Sequence, residues 1–147
     1  MNICFDVNAI IHLYTNTREQ AETLQAYDVA LIRNFEVCAP ACSLADIHYI
    51  LHRNGLSGDA LRESMSALFE MFRVFDANEQ DGKNALLNDM NDYEDALIAE
   101  SASRNGMDVI LTYNTKDFRY SPVKAMTPME FVDTFKPHNY IYEETAW

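Results

Sequence analysis

Between Asn91 and Phe118 the chain reads NDYEDALIAESASRNGMDVILTYNTKDF, and its acids are spaced so that they can act together. Asp92 and Asp95 lie at i and i+3 in what reads as the first turn of a helix, so they share one face. Glu94 is set about 100° round the helix from Asp95 and is expected to face elsewhere. After the next apolar run, Asn114 and Asp117 fall in a short polar loop. Two more acids come from distant segments: Asp6 ends the first apolar run, and Asp46 sits in the first turn of the helix after EVCAPA. Lys116 and Arg119 flank the last acid, and the other acids have no Lys or Arg beside them in sequence. Carboxylates gathered in this way repel one another, and a cation relieves the repulsion. An all-oxygen set of this kind suits Mg²⁺ or Mn²⁺. Such an ion activates water and offsets charge on a phosphoryl group. Any one acid has an ordinary explanation. Asp in a first turn complements the helix dipole, worth ~0.3–1 kcal/mol, and Asp and Asn favour loops. Four segments meeting at one sheet edge are what make a site.

The elements that must position them alternate between strand and helix. MNICFDV reads as a first strand, with Asn8 capping a short helix through Ala9, Ile10, Ile11 and Leu13. Thr17 opens a long helix ending near Asn34, with Ala21, Leu24, Val29, Leu31 and Ile32 as its apolar face. EVCAPA is a second strand closed by Pro40. Ser43 caps a helix carrying Leu44, Ile47, Ile50 and Leu51, which Asn54-Gly55 stops. Ser57 and Asp59 introduce a helix with Leu61, Met65, Leu68, Phe69 and Phe72 inward. RVFDA is a third strand, and Phe69, Phe72 and Phe75 read as core. Residues 78–90 read as helix, and Asp92 starts the next, which stops at Asn105-Gly106. DVILTY is a fourth strand whose continuous apolar centre suits a parallel sheet buried on both faces. VKAM is a short fifth, and Thr127-Pro128 starts a helix around Met129, Phe131, Val132 and Phe135. The pattern predicts one α/β domain over residues 1–147, with a mainly parallel sheet of four to five strands between helical layers. Residues 136–147 form a tail that packs on the domain or on a partner. In such sheets ligands bind at the carboxyl ends of the strands.

Length and composition bound the class. At 147 residues and 48% hydrophobic content the chain is long and apolar enough for a sizeable core. No apolar run approaches the ~18–20 residues of a membrane span. The N-terminus lacks the basic region of a secretion signal, so a cytoplasmic protein is expected. Cys4, Cys38 and Cys42 read as reduced residues rather than a disulfide framework. The net charge of −12, from 23 acids against 11 Lys and Arg, is unusual for a protein that grips phosphates, which normally requires basic surface. Engagement of nucleic acid would then depend on a bound cation or on a patch drawn from Arg18, Arg33, Arg53, Arg104, Lys116 and Arg119. Lys116 and Arg119 are the best placed for it.

The segments MNICFDVNAIIHL, SLADIHYIL and DYEDALIAESASRNGMDVILTYNTKDF, in this order, resemble the PIN-domain family. The likeness is strongest to the VapC-like ribonuclease toxins of bacterial type II toxin–antitoxin pairs, and runs over roughly residues 2–135. It implies a three-layer PIN-like domain that cleaves RNA with Mg²⁺ or Mn²⁺ held by acids. It matches Asp6 to the acid ending the first strand and Asp95 to the acid opening the DALIA-type helix. Thr112, Asn114 and Asp117 match the last acidic motif. Asp46 stands where Glu is common, and Asn114 where many members have Asp. The resemblance assigns Asp6, Asp95 and Asp117 to the catalytic metal site, with Asp46 joining them directly or through water. The chemistry of such a site then makes Thr112 and Asn114 positioning groups, or Asn114 a weak ligand, and sets Asp92 behind the ligands. It implies structured RNA such as tRNA as substrate, an antitoxin protein as partner, and a homodimer.

Other chemistry has weaker footing. His48 and His52 are spaced for zinc, but no third ligand accompanies them. A Cys38–Cys42 metal pair has no second pair to complete it. Ser43, Ser57 and Ser101 lack a nucleophile-elbow setting, and no Gly-rich phosphate loop is present. The competing class is a PIN-like binding module without catalysis, motivated by the acidity, Asp46 and Asn114. A nuclease acting on DNA or on phosphate esters generally is a third reading.

Overall fold

The computed structural model describes residues 1–143. Five short strands form one parallel sheet in the order β3-β2-β1-β4-β5. They are β1 (Asn2–Phe5), β2 (Glu36–Pro40), β3 (Arg73–Phe75), β4 (Val109–Leu111) and β5 (Lys124–Met126). Register pairs Cys4 with Cys38 on one side and with Ile110 on the other. Because strand side chains alternate between faces, each strand feeds two cores. Ile3, Phe5, Val37, Ala39, Val109 and Leu111 face one cluster, whereas Cys4, Cys38 and Ile110 face the other.

The first face is covered by α1 (Val7–His12), α2 (Arg18–Ile32), α3 (Leu44–Arg53), α4 (Gly58–Met71) and α7 (Pro128–Phe135). The second is covered by α5 (Glu79–Leu87) and α6 (Tyr93–Arg104). Two helices start on reciprocal capping boxes, Asn78 with Asp81 and Thr127 with Glu130. Arg104 binds α6 to α5 through Asp81, which is buried, and to the segment after β3 through Asp76. Gly106 ends α6 at φ 72°, a left-handed turn that glycine adopts without strain.

Some expected side-chain placements change. The inner face of α2 is made by Thr23, Ala26, Val29 and Ala30, and Leu31 and Ile32 are each 48% exposed. The buried stripe of α2 is thus made of small and β-branched residues, and Leu31 and Ile32 fall outside it at the end of the helix. Phe72 and Phe75 are core, but Phe69 is 56% exposed. It lies one position from the buried Leu68, and a helix rotates successive residues by about 100°. The cap of α1 is Asp6, not Asn8. Ser43 precedes α3 as expected but makes no side-chain capping bond, because a 3-10 turn, Ala41–Ser43, leads into the helix. All three cysteines are free, with Cys4 and Cys38 buried. The tail begins by packing on α2. The Tyr140 hydroxyl donates to Asp28 Oδ2 at 3.0 Å, and Arg33 Nε donates to the Phe135 carbonyl at 2.6 Å. Residues 144–147 of the tail lie outside the described residues. Among those described, no helix is long and apolar enough to cross a membrane.

The chain visits β2 and β3 on one side of β1 and then crosses to β4 and β5 on the other. Reversal of this kind opens a crevice at the carboxyl ends of the two strands flanking the switch, here β1 and β4. Leu111 ends β4 at that crevice, pairs with Phe5 and is fully buried. Leu111→Ala is expected to destabilise the protein by ~2–5 kcal/mol in urea unfolding. Leu87→Ala, at a residue 85% exposed, should stay within ~0.5 kcal/mol of the parent.

Candidate metal-assisted active site

Immediately beyond β1 and β4 the chain places Asp6 and Thr112, both buried. The strand ladder extends to them: Asp6 N–H donates to the Leu111 carbonyl at 2.9 Å and Thr112 N–H to that of Met126 at 3.0 Å. Asp6 caps α1, its Oδ1 accepting the Val7 N–H at 2.7 Å. Its Oδ2 accepts the Thr112 hydroxyl at 2.9 Å. That hydroxyl in turn accepts from Asn8 Nδ2 at 3.2 Å and from the Asn114 N–H at 3.1 Å. With one proton given and two received, Thr112 Oγ1 is saturated. Asn8 Oδ1 accepts the Tyr113 N–H at 3.1 Å, fastening the loop after β4 to α1.

A cavity of about 520 Å³ opens above this bond. Its wall carries Asp6, Asp92, Glu94, Asp95 and Asp117, with Asn8, Asn114 and His12, and no Lys or Arg lines it. Asp92 caps α6 by accepting the Asp95 N–H at 3.1 Å, which holds the first turn of the helix at the cavity edge. The Asp117 N–H donates to the Asn114 carbonyl at 3.0 Å, closing the loop that carries both.

The electrostatics register the crowding. Burial, opposed by the Thr112 and Val7 hydrogen bonds, leaves the Asp6 carboxyl above its usual range. Asp95 is pushed up to about 7, first by burial and then by Asp6, Asp92 and Asp117. Glu94 is also pushed up to about 7, by partial burial and by the neighbouring Asp46 carboxylate.

The structure therefore brings Asp6, Asp92, Asp95, Asn114 and Asp117 to one cavity, with Thr112 beneath it. Asp46 does not line the wall and stands beside Glu94. Glu94, expected to face away, lines the cavity, because the first turn of α6 presents its end to the opening as well as its side. Asn8 and His12 also belong to the wall. Their sequence signal was their place on the short helix that Asp6 caps. Lys116 and Arg119 do not line the cavity. Both are exposed, and the Arg119 guanidinium stacks over the Tyr120 ring at 4.5 Å. Arg18, Arg33 and Arg104 are engaged with Glu22, the end of α7 and α5.

The carboxylates and side-chain amides of the wall fit a hard divalent cation by chemistry, since they offer an acid-rich set of oxygen donors. Among the described residues no three His, Cys, Asp or Glu side chains are closed into a group that could hold a metal ion. Mg²⁺ keeps several of its waters, so carboxylates spread around a wall can serve it through bridging water.

Comparison with known proteins agrees with the fold. The sequence profile of the PIN domain matches residues 2–116. No curated protein sequence matches the chain. VapBC-1 from nontypeable Haemophilus influenzae superposes with a TM-score of 0.68 at 18% identity, over 88% of this chain and 99% of that one. VapBC2 from Rickettsia felis, bound to a promoter DNA fragment, gives 0.63 at 14% identity, over 86% and 98%. VapC20 from Mycobacterium tuberculosis, a sarcin–ricin-loop-cleaving toxin, gives 0.60 at 13% identity, over 78% and 92%.

Two tests follow from the geometry. Thr112→Val removes the donor to Asp6 and the acceptor for Asn8 and Asn114 and should cost ~1–3 kcal/mol in urea unfolding, with Thr112→Ser recovering most of it. The second concerns pH. A carboxyl whose folded pKa exceeds its unfolded value binds more protons when folded, so stability falls as pH rises between the two. For Asp95 that window runs from the ordinary carboxylate range up to about 7. The Tm in EDTA should therefore drop by a few degrees from about pH 5 to about pH 8, and Asp95→Asn should flatten the slope. The sequence profile and the shared fold together establish that this chain belongs to the PIN-domain family.

Proposed function

We propose that this protein is a divalent-cation-dependent endoribonuclease that hydrolyses RNA phosphodiester bonds and serves as the toxin of a type II toxin–antitoxin pair. One observation carries the reading: Asp6, Asp95 and Asp117, from three distant segments, line one cavity that has no Lys or Arg to neutralise them. Family membership and the fold shared with VapC and VapBC proteins support it. Asp6, Asp95 and Asp117 would hold Mg²⁺ or Mn²⁺. When bound, the ion supplies Lewis acidity, lowering the pKa of a water and offsetting phosphate charge. The chain's own residues do the rest. Thr112 fixes the Asp6 carboxylate, and Asp92 fixes the first turn that bears Asp95. Asn114 offers an amide at the wall to orient a phosphate oxygen. Glu94, poised about 7 with Asp46 behind it, is matched to accept a proton from an attacking water near neutral pH. Asp46 thus acts through Glu94 or through water. No side-chain nucleophile is needed. RNA approaches past Lys116 and Arg119, two exposed cations beside the last acidic loop of a chain whose net charge is −12. An antitoxin protein and a second copy of the chain are the partners this reading implies, and the exposed Leu31, Ile32 and Phe69 are apolar positions open to them.

A second reading, a PIN-like binding module without catalysis, is favoured by the open spacing of the acids and by neutral Asn114. One assay separates them. Incubated with tRNA and other structured RNAs in Mg²⁺ or Mn²⁺, the protein should cut RNA and leave single-stranded DNA whole. It should stop in EDTA and lose ~100-fold or more on Asp6→Asn or Asp95→Asn. Intact RNA at confirmed metal occupancy would establish the binding module, and equal cleavage of DNA a broader nuclease.

A further inference from the structure

His12 is the last residue of α1, the helix that Asp6 caps, so one short helix carries a buried carboxylate at its start and an imidazole at its end. That imidazole lines the same cavity as Asp6, Glu94, Asp95, Asn114 and Asp117. Among the described residues it is the one side chain of the wall able to bear positive charge, and the one ring there able to donate an N–H. Its Nδ1 is buried and has no hydrogen-bond partner, in contrast to the great majority of buried polar atoms in folded proteins. The ring is held by packing instead. It meets Tyr113 edge-on, with centroids 4.9 Å apart and planes at 70°. Tyr113 is itself anchored, its hydroxyl donating to the Glu19 carbonyl at 2.8 Å and lying 2.9 Å from Thr23 Oγ1. The fold thus fixes the ring without drawing on the hydrogen-bonding capacity of Nδ1, and burial of Nδ1 leaves Nε2 as the nitrogen that a ligand can reach.

A phosphodiester entering a wall of five carboxylates is repelled everywhere except where a donor or a cation meets it. We infer that His12 is a substrate-contacting residue that donates a hydrogen bond from Nε2 to a non-bridging phosphate oxygen of the bound RNA, beside the acids. This rests on the nuclease reading and adds to it the group that admits the anion. An N–H donor to an anionic oxygen gives a charge-assisted bond, stronger than a neutral one. A point-charge lysine at the same place would neutralise the acids, whereas imidazole can donate while uncharged.

The test compares His12→Leu and His12→Gln with the parent in RNA cleavage with Mn²⁺, after circular dichroism and Tm have confirmed folding. His12→Leu should raise KM about tenfold or more with kcat much less changed, and His12→Gln, which keeps an N–H donor, should recover part of the loss. Independently of turnover, the imidazole ¹⁵N resonances of His12 should move when an RNA oligonucleotide is added to the Ca²⁺-loaded parent. Parent-like KM in His12→Leu while the parent cleaves RNA, or ring resonances unmoved at saturating RNA, would overturn the inference and leave the nuclease reading intact. A parent that binds RNA with movement of the His12 resonances but cleaves nothing would overturn the nuclease reading alone. A parent that neither binds nor cleaves RNA would overturn both.

Discussion

Mutual repulsion among carboxylates governs the carboxyl edge of this sheet. Asp6, Asp92, Glu94, Asp95 and Asp117 share one cavity wall without a Lys or Arg among them. Folding brings them together because β1 and β4 are neighbours, although more than a hundred residues separate Asp6 from Thr112. Burial of apolar surface on both faces of the sheet supplies the driving force for that crowding. Burial first, and the neighbouring carboxylates after it, raise the pKa values of Asp95 and Glu94, so part of the charge is not compensated by the protein itself. A structural acid cluster would ordinarily acquire an Arg, as Asp81 and Asp76 have acquired Arg104 at the opposite end of α6. Among the described residues the cavity acids have not, and that contrast within one molecule is what supports the proposal of a cation site.

The bond between Asp6 and Thr112 transmits the order of the sheet to the cavity. Asp6 is locked by two hydrogen bonds, and Thr112 uses all of its hydrogen-bonding capacity to join β1, α1 and the loop after β4. Asp95 and Asp117 sit on a helix start and a loop, elements whose positions respond more readily to a ligand. The site therefore combines one rigid acid with others free to adjust. This is consistent with carboxylates that surround a cavity without closing on a single point.

Much of this was legible in the chain. Strand and helix alternation fixed the class, since VILTY and ICF carry the apolar density of strands buried on both sides. Asp6, Asp95 and Asp117 could be placed at one edge because a parallel sheet sends every strand end the same way. Side-chain direction within the first helical turn was not legible. Helical rotation alone turns Glu94 outward, yet a helix end that points at a cavity exposes several faces to it. Hydrophobicity alone turns Leu31, Ile32 and Phe69 inward, but it does not say which of several apolar stripes meets the sheet. His12 carried no motif, and only its packing on Tyr113 and its orphan nitrogen set it apart.

The central claim is that these acids form one divalent-cation site. Mn²⁺ binding to the metal-free protein, followed by electron paramagnetic resonance of free Mn²⁺, tests it most directly. Saturable binding that is abolished by Asp6→Asn and strongly weakened by Asp95→Asn, with Asp89→Asn on the exposed surface unaffected, is the predicted result. Equal Mn²⁺ uptake in all three variants, or none in the parent, would contradict it.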